Sequence, residues 1–261
     1  MSETRTAAGP IVRVRGLRAA YGDVTILRDI DFEVARGEVF VILGGSGCGK
    51  STLLRHLIGL VDPAEGAIEI DGEDLVAARG ALRERLRRRF GVLFQGGALF
   101  SNMTLAENVG LPLEEFSDLP PEAIRRIAQR KLALVGLTGY EDHRPNEISG
   151  GMRKRAGVAR ALALDPPLLF LDEPSAGLDP ISAADLDRLL LDLRESLGTT
   201  LVVVTHELAS IYAIADRCIM LDKARRTIVA TGRPADLRDA SDDPFVREFF
   251  RREATAAPEV S

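Results

Sequence analysis

The chain has 261 residues, 46% hydrophobic and 28% charged, with a formal net charge of −5. This is the make-up of an ordinary globular protein long enough to bury a large core, and the acidic balance counts against a protein that coats nucleic acid. Two cysteines, Cys48 and Cys218, are too few for a disulfide framework, and no apolar run reaches the roughly 18 residues of a membrane span. The start, "MSETRTAAGP", lacks the basic and apolar regions of a signal peptide.

After this polar leader, "IVRVRGL" alternates in strand fashion, and "VTILRDIDFEVARGEVFVILGG" supplies two more strands punctuated by "ARGE". "GAIEIDGEDL" predicts a further strand with an Asp71-Gly72 turn, so several strands precede the first long helix. They predict an antiparallel sheet beside the main fold. "GEVFVILGG" followed by "KSTLLRHLIGL" is strand, glycine loop and helix, the opening of a parallel α/β unit. The basic run Arg83–Phe90 reads as a solvated helix face with a few ion pairs. Between Gln95 and Ile148 only helical periodicity is visible, which predicts an inserted helical subdomain.

The parallel sheet resumes with "PLLFLDEP", then the helix "PISAADLDRLLLDLRESLG", then "TTLVVVTH". Asp179 before Pro180 is a cap-and-start signal for that helix. "CIMLD" and "RTIVATG" close the sheet, and "DPFVREFFRRE" predicts a short amphipathic helix before a polar tail.

Chemistry enters with "GGSGCGKST", Gly44 to Thr52, where a glycine, four residues and Gly-Lys-Ser form a phosphate loop. Backbone N–H groups of Gly44, Gly45, Ser46, Gly47, Cys48 and Gly49 can close around phosphates, while Lys50 reaches the β- and γ-phosphates. The Ser51 hydroxyl is placed to ligate Mg²⁺. Cys48 reads as a small filler within the loop.

Asp172 ends the apolar run "LLFL", as the magnesium-holding aspartate of nucleotide hydrolases does. Glu173 follows at once, and its carboxylate is suited to orient or deprotonate the attacking water. His206 closes "TLVVVTH" and Gln95 follows "FGVLF"; taken singly, both read equally well as structural residues. Strand C-termini of parallel sheets point at the ligand crevice, which gives both a place near the site. "EISGGMRKRAGVARAL" opens a helix with Ser149, Gly150, Gly151 and Met152, a second helix N-terminus free to take an anion.

Glycine loop, Gln95, "ISGGM", "LLFLDEP", "SAGLD" and His206 stand in the order found in ATP-binding cassette ATPases, which the chain resembles from about Ile11 to Arg233. The resemblance implies a P-loop α/β fold of this type: a parallel-sheet core with an antiparallel β subdomain and an inserted α-helical subdomain. One ATPase domain spans 11–245, its helical subdomain lies over about 96–160, and 246–261 form a short C-terminal helix and polar tail. It implies ATP and Mg²⁺ as cofactors, with Glu173, His206 and Gln95 in hydrolysis and Tyr21 stacked on adenine. Ser51, Gln95 and Asp172 serve the metal, and His206 is the γ-phosphate switch. Ser149, Gly150, Gly151 and Met152 are the signature that meets the ATP of a second copy, and Asp179 is a dimer contact. In most of the family the position of Met152 is Gln; the phosphate contacts expected of the signature come from the Ser149 hydroxyl and glycine N–H groups.

"LFQGGALFSNMTLAENVGLPL" and "SGGMRKRAGVARALALDPPLLFLDEPSAGLDPISA" are further similar to the ATPases of Mla-type lipid transporters associated with Mce proteins. This implies a peripheral subunit on the cytoplasmic face of the inner membrane. Its partners would be a transmembrane permease, an Mce-domain protein and a STAS-domain protein, with phospholipid as the cargo moved between inner and outer membranes. The runner-up is a small-solute importer, such as one for an amino acid, which shares every catalytic residue. A cassette of DNA repair or translation fits poorly, because the chain has neither a second cassette nor a long coiled-coil insertion.

Overall fold

The computed structural model describes residues 9–251; the polar tail beyond Arg252 lies outside them. β1 (Val12–Tyr21) pairs antiparallel with both β2 (Val24–Val34) and β4 (Glu65–Ile70). β4 turns through Asp71 (φ 54°) and Gly72 (φ 80°) into β5 (Glu73–Asp74). Two successive left-handed residues are what a two-residue hairpin demands, and an Asp-Gly pair supplies them at low cost. The result is the expected antiparallel sheet, in the order β2-β1-β4-β5.

β3 (Val39–Gly44) lies in a second sheet of order β10-β9-β3-β8-β7-β6. Its members are β6 (Phe90–Leu93), β7 (Leu168–Asp172), β8 (Thr200–Val204), β9 (Arg217–Asp222) and β10 (Thr227–Gly232). All run parallel except β10, which pairs antiparallel with β9. Both faces are covered, so β3 and β8 are buried throughout and, Thr200 apart, carry no polar side chain.

Alternate residues feed two cores. Val39, Val41 and Leu43 enter one, packed under α3 (Leu105–Phe116), α4 (Pro121–Leu134), α5 (Gly150–Ala161) and α6 (Pro180–Leu197). Phe40 and Ile42 enter the other, beneath the antiparallel sheet and α1 (Lys50–Leu57). In β7 the same alternation sends Leu168 and Phe170 to the α1 side, so strand parity puts Asp172 on the side of the glycine loop.

The arm made by α3, α4 and α5 matches the expected helical subdomain. It meets the sheet closely where the end of α5 crosses β6: a Cβ on Gly91 would lie 2.0 Å from the Ala161 carbonyl oxygen, so only glycine allows this approach of the two backbones. The basic run lies along and just past α2 (Gly80–Arg87) and makes the expected ion pairs: Arg83 with Asp62 at 2.6 Å, Arg85 with Glu73 at 2.8 Å and Arg89 with Asp71 at 2.9 Å.

Two seven-residue helices, α7 (Leu208–Ile214) and α8 (Pro234–Ala240), were too short to show a periodicity in the sequence. α9 (Pro244–Arg251) is the C-terminal helix and begins two residues before the boundary drawn at 246. Its Val246 and Phe250 are buried in the same core as Val39 and Met220.

Candidate active site

The glycine loop joins β3 to α1. A Cβ on Gly44 (φ 149°) would sit 2.5 Å from the Leu221 carbonyl oxygen and 2.6 Å from Cys48 Sγ, so the loop packs on β9 only because this residue has no side chain. Cys48 is buried against that turn, and burial pushes its thiol pKa up; it is a packing residue rather than a nucleophile. Gly45, Ser46 and Gly47 are exposed at the mouth, and Gly49 (φ 103°) caps α1. The first turn of α1 contains no acidic residue, so nothing opposes the positive end of the helix.

Lys50 is buried and folds back over the loop, its Nζ donating to the carbonyls of Gly44 at 2.8 Å and Gly45 at 3.3 Å. The Ser51 residue is exposed, Thr52 is half-buried, and Tyr21 ends β1 with its residue 46% exposed.

Asp172 and Glu173 leave the next-but-one strand, β7, beside the loop. Burial and the neighbouring Glu173 push the Asp172 carboxyl pKa above the usual carboxylate range, against the pull of Lys154, Arg55 and Lys50. Glu173 stands in the left-handed region at φ 47°, with its N–H donating to the Val204 carbonyl at 2.8 Å. Its Oε1 is 2.8 Å from His206 Nδ1, so the structure joins directly two residues that the sequence places separately. Two carboxylate oxygens, Asp172 Oδ1 and Glu173 Oε2, are buried without a hydrogen-bond partner. Such atoms cost energy unless something arrives to use them.

Those two oxygens, the exposed Ser51 residue and a lysine held only by loop carbonyls fit a magnesium–triphosphate group. Mg²⁺ is commonly bound through one or two side chains, waters and phosphate oxygens. Gln95, two residues past β6, is exposed at the same strand ends.

Ser149 caps α5. Its Oγ accepts from the Met152 N–H at 3.2 Å, which leaves the hydroxyl hydrogen available to a phosphate oxygen. Gly150 and Gly151 form the bare first turn, and the Met152 side chain packs against the core beneath, where an apolar residue suits better than Gln. Asp179 caps α6, accepting from the backbone of Ile181 and Ser182 and from Ser182 Oγ at 2.6 Å; these bonds hold its carboxyl pKa low.

Three residues around the site went unnoticed in the sequence. Lys154 is buried, and its ammonium donates to the carbonyls of Gln95 and, at 2.9 Å, Glu173. Arg160 donates to the carbonyls of Ala98 at 2.7 Å and Gly97 at 2.9 Å. Asn108, wholly buried, accepts from the Phe100 N–H at 2.7 Å and donates to the carbonyls of Phe100 and Thr104 at 3.1 and 2.9 Å. Helical spacing carried a signal for Lys154: Gly150, Lys154, Gly157, Val158 and Ala161 share one face of α5, and a charge on a buried stripe is unusual.

A phosphate loop whose lysine awaits a polyphosphate, set across one strand from paired carboxylates with unused oxygens, defines a P-loop nucleotide hydrolase. The chain belongs to the ABC transporter family, whose model matches residues 27–176. It is 43% identical over 246 residues to the "probable ribonucleotide transport ATP-binding protein mkl" of Mycobacterium leprae, a match covering 94% of this chain and 70% of that protein. It is 41% identical over 240 residues to the "intermembrane phospholipid transport system ATP-binding protein MlaF" of Escherichia coli K12, covering 92% of this chain and 88% of that one.

Among solved structures, the dimeric post-hydrolysis state of the ATP-binding cassette MJ0796 with ADP and Pi superposes with a TM-score of 0.77 at 31% identity, over 85% of this chain and 98% of that one. The expected fold, the ATPase activity and the use of ATP with Mg²⁺ therefore stand for this chain. Among the described residues no helix is long and apolar enough to cross a membrane.

Proposed function

We propose that the chain is the ATP-hydrolysing subunit of a transporter that moves phospholipid between membranes. The observation that carries this reading is the 41% identity to MlaF of E. coli, which extends over 88% of that protein rather than over the nucleotide motifs alone. In this reading the chain sits on the cytoplasmic face of the inner membrane, held there by a permease. The exposed Phe94 and Phe100 flank the loop after Gln95, and Phe94 lines an apolar groove of about 460 Å³ with Leu111 and Phe116. Such a surface suits a permease helix. An Mce-domain protein and a STAS-domain subunit complete the assembly.

Two copies bind head to tail, each glycine loop facing the partner's Ser149–Met152 turn, as in a sandwich with two nucleotides; Asp179 lies at the contact. The existence of cassettes of this fold as dimers supports the arrangement. Within each site Tyr21 stacks on adenine, loop N–H groups and Lys50 hold phosphates, and Ser51, Gln95 and Asp172 hold the metal. Mg²⁺ held there would supply neutralisation of the phosphate charge. Glu173 takes or orients the proton of the attacking water, and His206, bonded to Oε1, fixes the carboxylate and senses the γ-phosphate.

A second reading, a transporter of ribonucleotides or another small solute, is favoured by the name of the mycobacterial relative. Mass spectrometry of the complex that co-purifies with the tagged chain in mild detergent separates the two. A permease with Mce-domain and STAS-domain proteins and bound phospholipid is the expected result. A solute permease with a soluble binding protein would overturn the cargo while leaving the ATPase chemistry in place.

A further inference from the structure

We infer that Lys154 is a positioning residue for ATP hydrolysis: its buried ammonium fixes the peptides of Gln95 and Glu173 relative to the helix that begins at Ser149. The inference rests on Glu173 being the base. Three observations carry it.

The first is the cost of the residue itself. Lys154 is 6% exposed, and a buried ammonium is retained only when it is fully used. Its bonds run to two backbone carbonyls that belong to different loops, while the carboxylates of Asp172 and Glu173 lie near enough to act on its charge.

The second is the backbone of Glu173. A glutamate at φ 47° holds that conformation only where the surroundings impose it. Its N–H is fixed by the Val204 carbonyl at 2.8 Å, from the central sheet; its C=O receives Lys154 Nζ at 2.9 Å and the Ala176 N–H at 3.3 Å. Lys154 is therefore the shorter of two restraints on the carbonyl side, and the direction of the carboxylate depends on both sides.

The third is the asymmetry of the bonds made by α5. Lys154 and Arg160 both grip the Gln95–Ala98 loop, which ties loop and helix together. Of these two side chains, Lys154 alone also bonds the end of β7, at the Glu173 carbonyl.

The test uses the complex purified through this chain, with Lys154→Met, which keeps the apolar stem and removes the donor, and Lys154→Arg. We expect Lys154→Met to lower kcat by ~10-fold or more while ATP affinity stays within about twofold, because misplacement of a reacting group affects turnover rather than nucleotide contacts. Amide exchange should rise in both the Gln95–Ala98 and Glu173–Ala176 segments but not in α1, and Lys154→Arg should recover most of the turnover. Unchanged turnover, or parallel loss of ATP affinity and kcat, would overturn the inference, as would unchanged exchange in the two loops. If Lys154→Met does not fold, Lys154→Gln is held to the same criteria. Persistent turnover in Glu173→Gln would remove the base role from Glu173; the exchange result would still decide whether Lys154 holds both loops.

Discussion

At the scale of single residues, the site is a set of unused bonding capacities. Glu173 Oε2 and Asp172 Oδ1 are buried and unpaired, an arrangement that costs about 1–3 kcal/mol for each group left unsatisfied. Glu173→Gln keeps the size and the left-handed backbone but removes the basic oxygen. Turnover should fall by about 10²–10⁴-fold while nucleotide still binds, and size exclusion with ATP should show an accumulated closed dimer. Substantial residual hydrolysis would assign the base elsewhere.

Asp172 offers a test of stability. Its carboxyl pKa is raised in the fold, so the stability it contributes is present at low pH and is lost as pH rises through the raised value. Asp172→Asn should therefore melt above the parent chain at neutral pH, without nucleotide or metal. The difference should vanish towards the ordinary carboxylate range near pH ~4. Magnesium-dependent turnover should fall in the same variant, and a melting temperature equal to or below the parent's at neutral pH would refute the sign. These are also the residues that the sequence revealed best, because each stands where an apolar strand ends. It could not reveal that His206 bonds Glu173 or that Lys154 spans two loops, since those contacts join segments 33 and 59 residues apart.

Among the elements, period-2 runs and the glycine loop made both sheets legible, and Ser149 and Asp179 marked the starts of two long helices; the capping box of Thr104 with Glu107 on α3 was found only in the structure. Short helices carried too few turns to declare themselves, and strand order in the parallel sheet depends on packing that no local pattern encodes. α9 shows the limit most clearly. Its amphipathic pattern announced a helix but not its place; the fold seats Val246 and Phe250 in the main core, and the Tyr212 hydroxyl donates to the Phe250 carbonyl at 3.1 Å. Phe250→Ala should cost about 3–5 kcal/mol, as for other buried aromatic truncations. Chemical denaturation should reveal it as a lower midpoint of the whole domain. A separate early transition of the C-terminal segment would show instead that α9 is an appendage.

For the whole molecule, the decisive question is whether one active site needs two chains. Ser149→Arg and Lys50→Ala should each be inactive alone, because every site in either homodimer has lost one half. Mixed together in the complex, the two variants form heterodimers in which one site keeps both native halves, and ATP hydrolysis should reappear. A mixture as silent as its components would argue against the shared site. The arrangement of α5 has a further consequence for such a pair. Its first turn, at Ser149, faces outward, and its next turn, at Lys154, grips the Glu173 carbonyl of its own chain. If two copies pair head to tail, this helix would touch one copy's fuel and the other copy's igniter, and neither site would then keep a private clock.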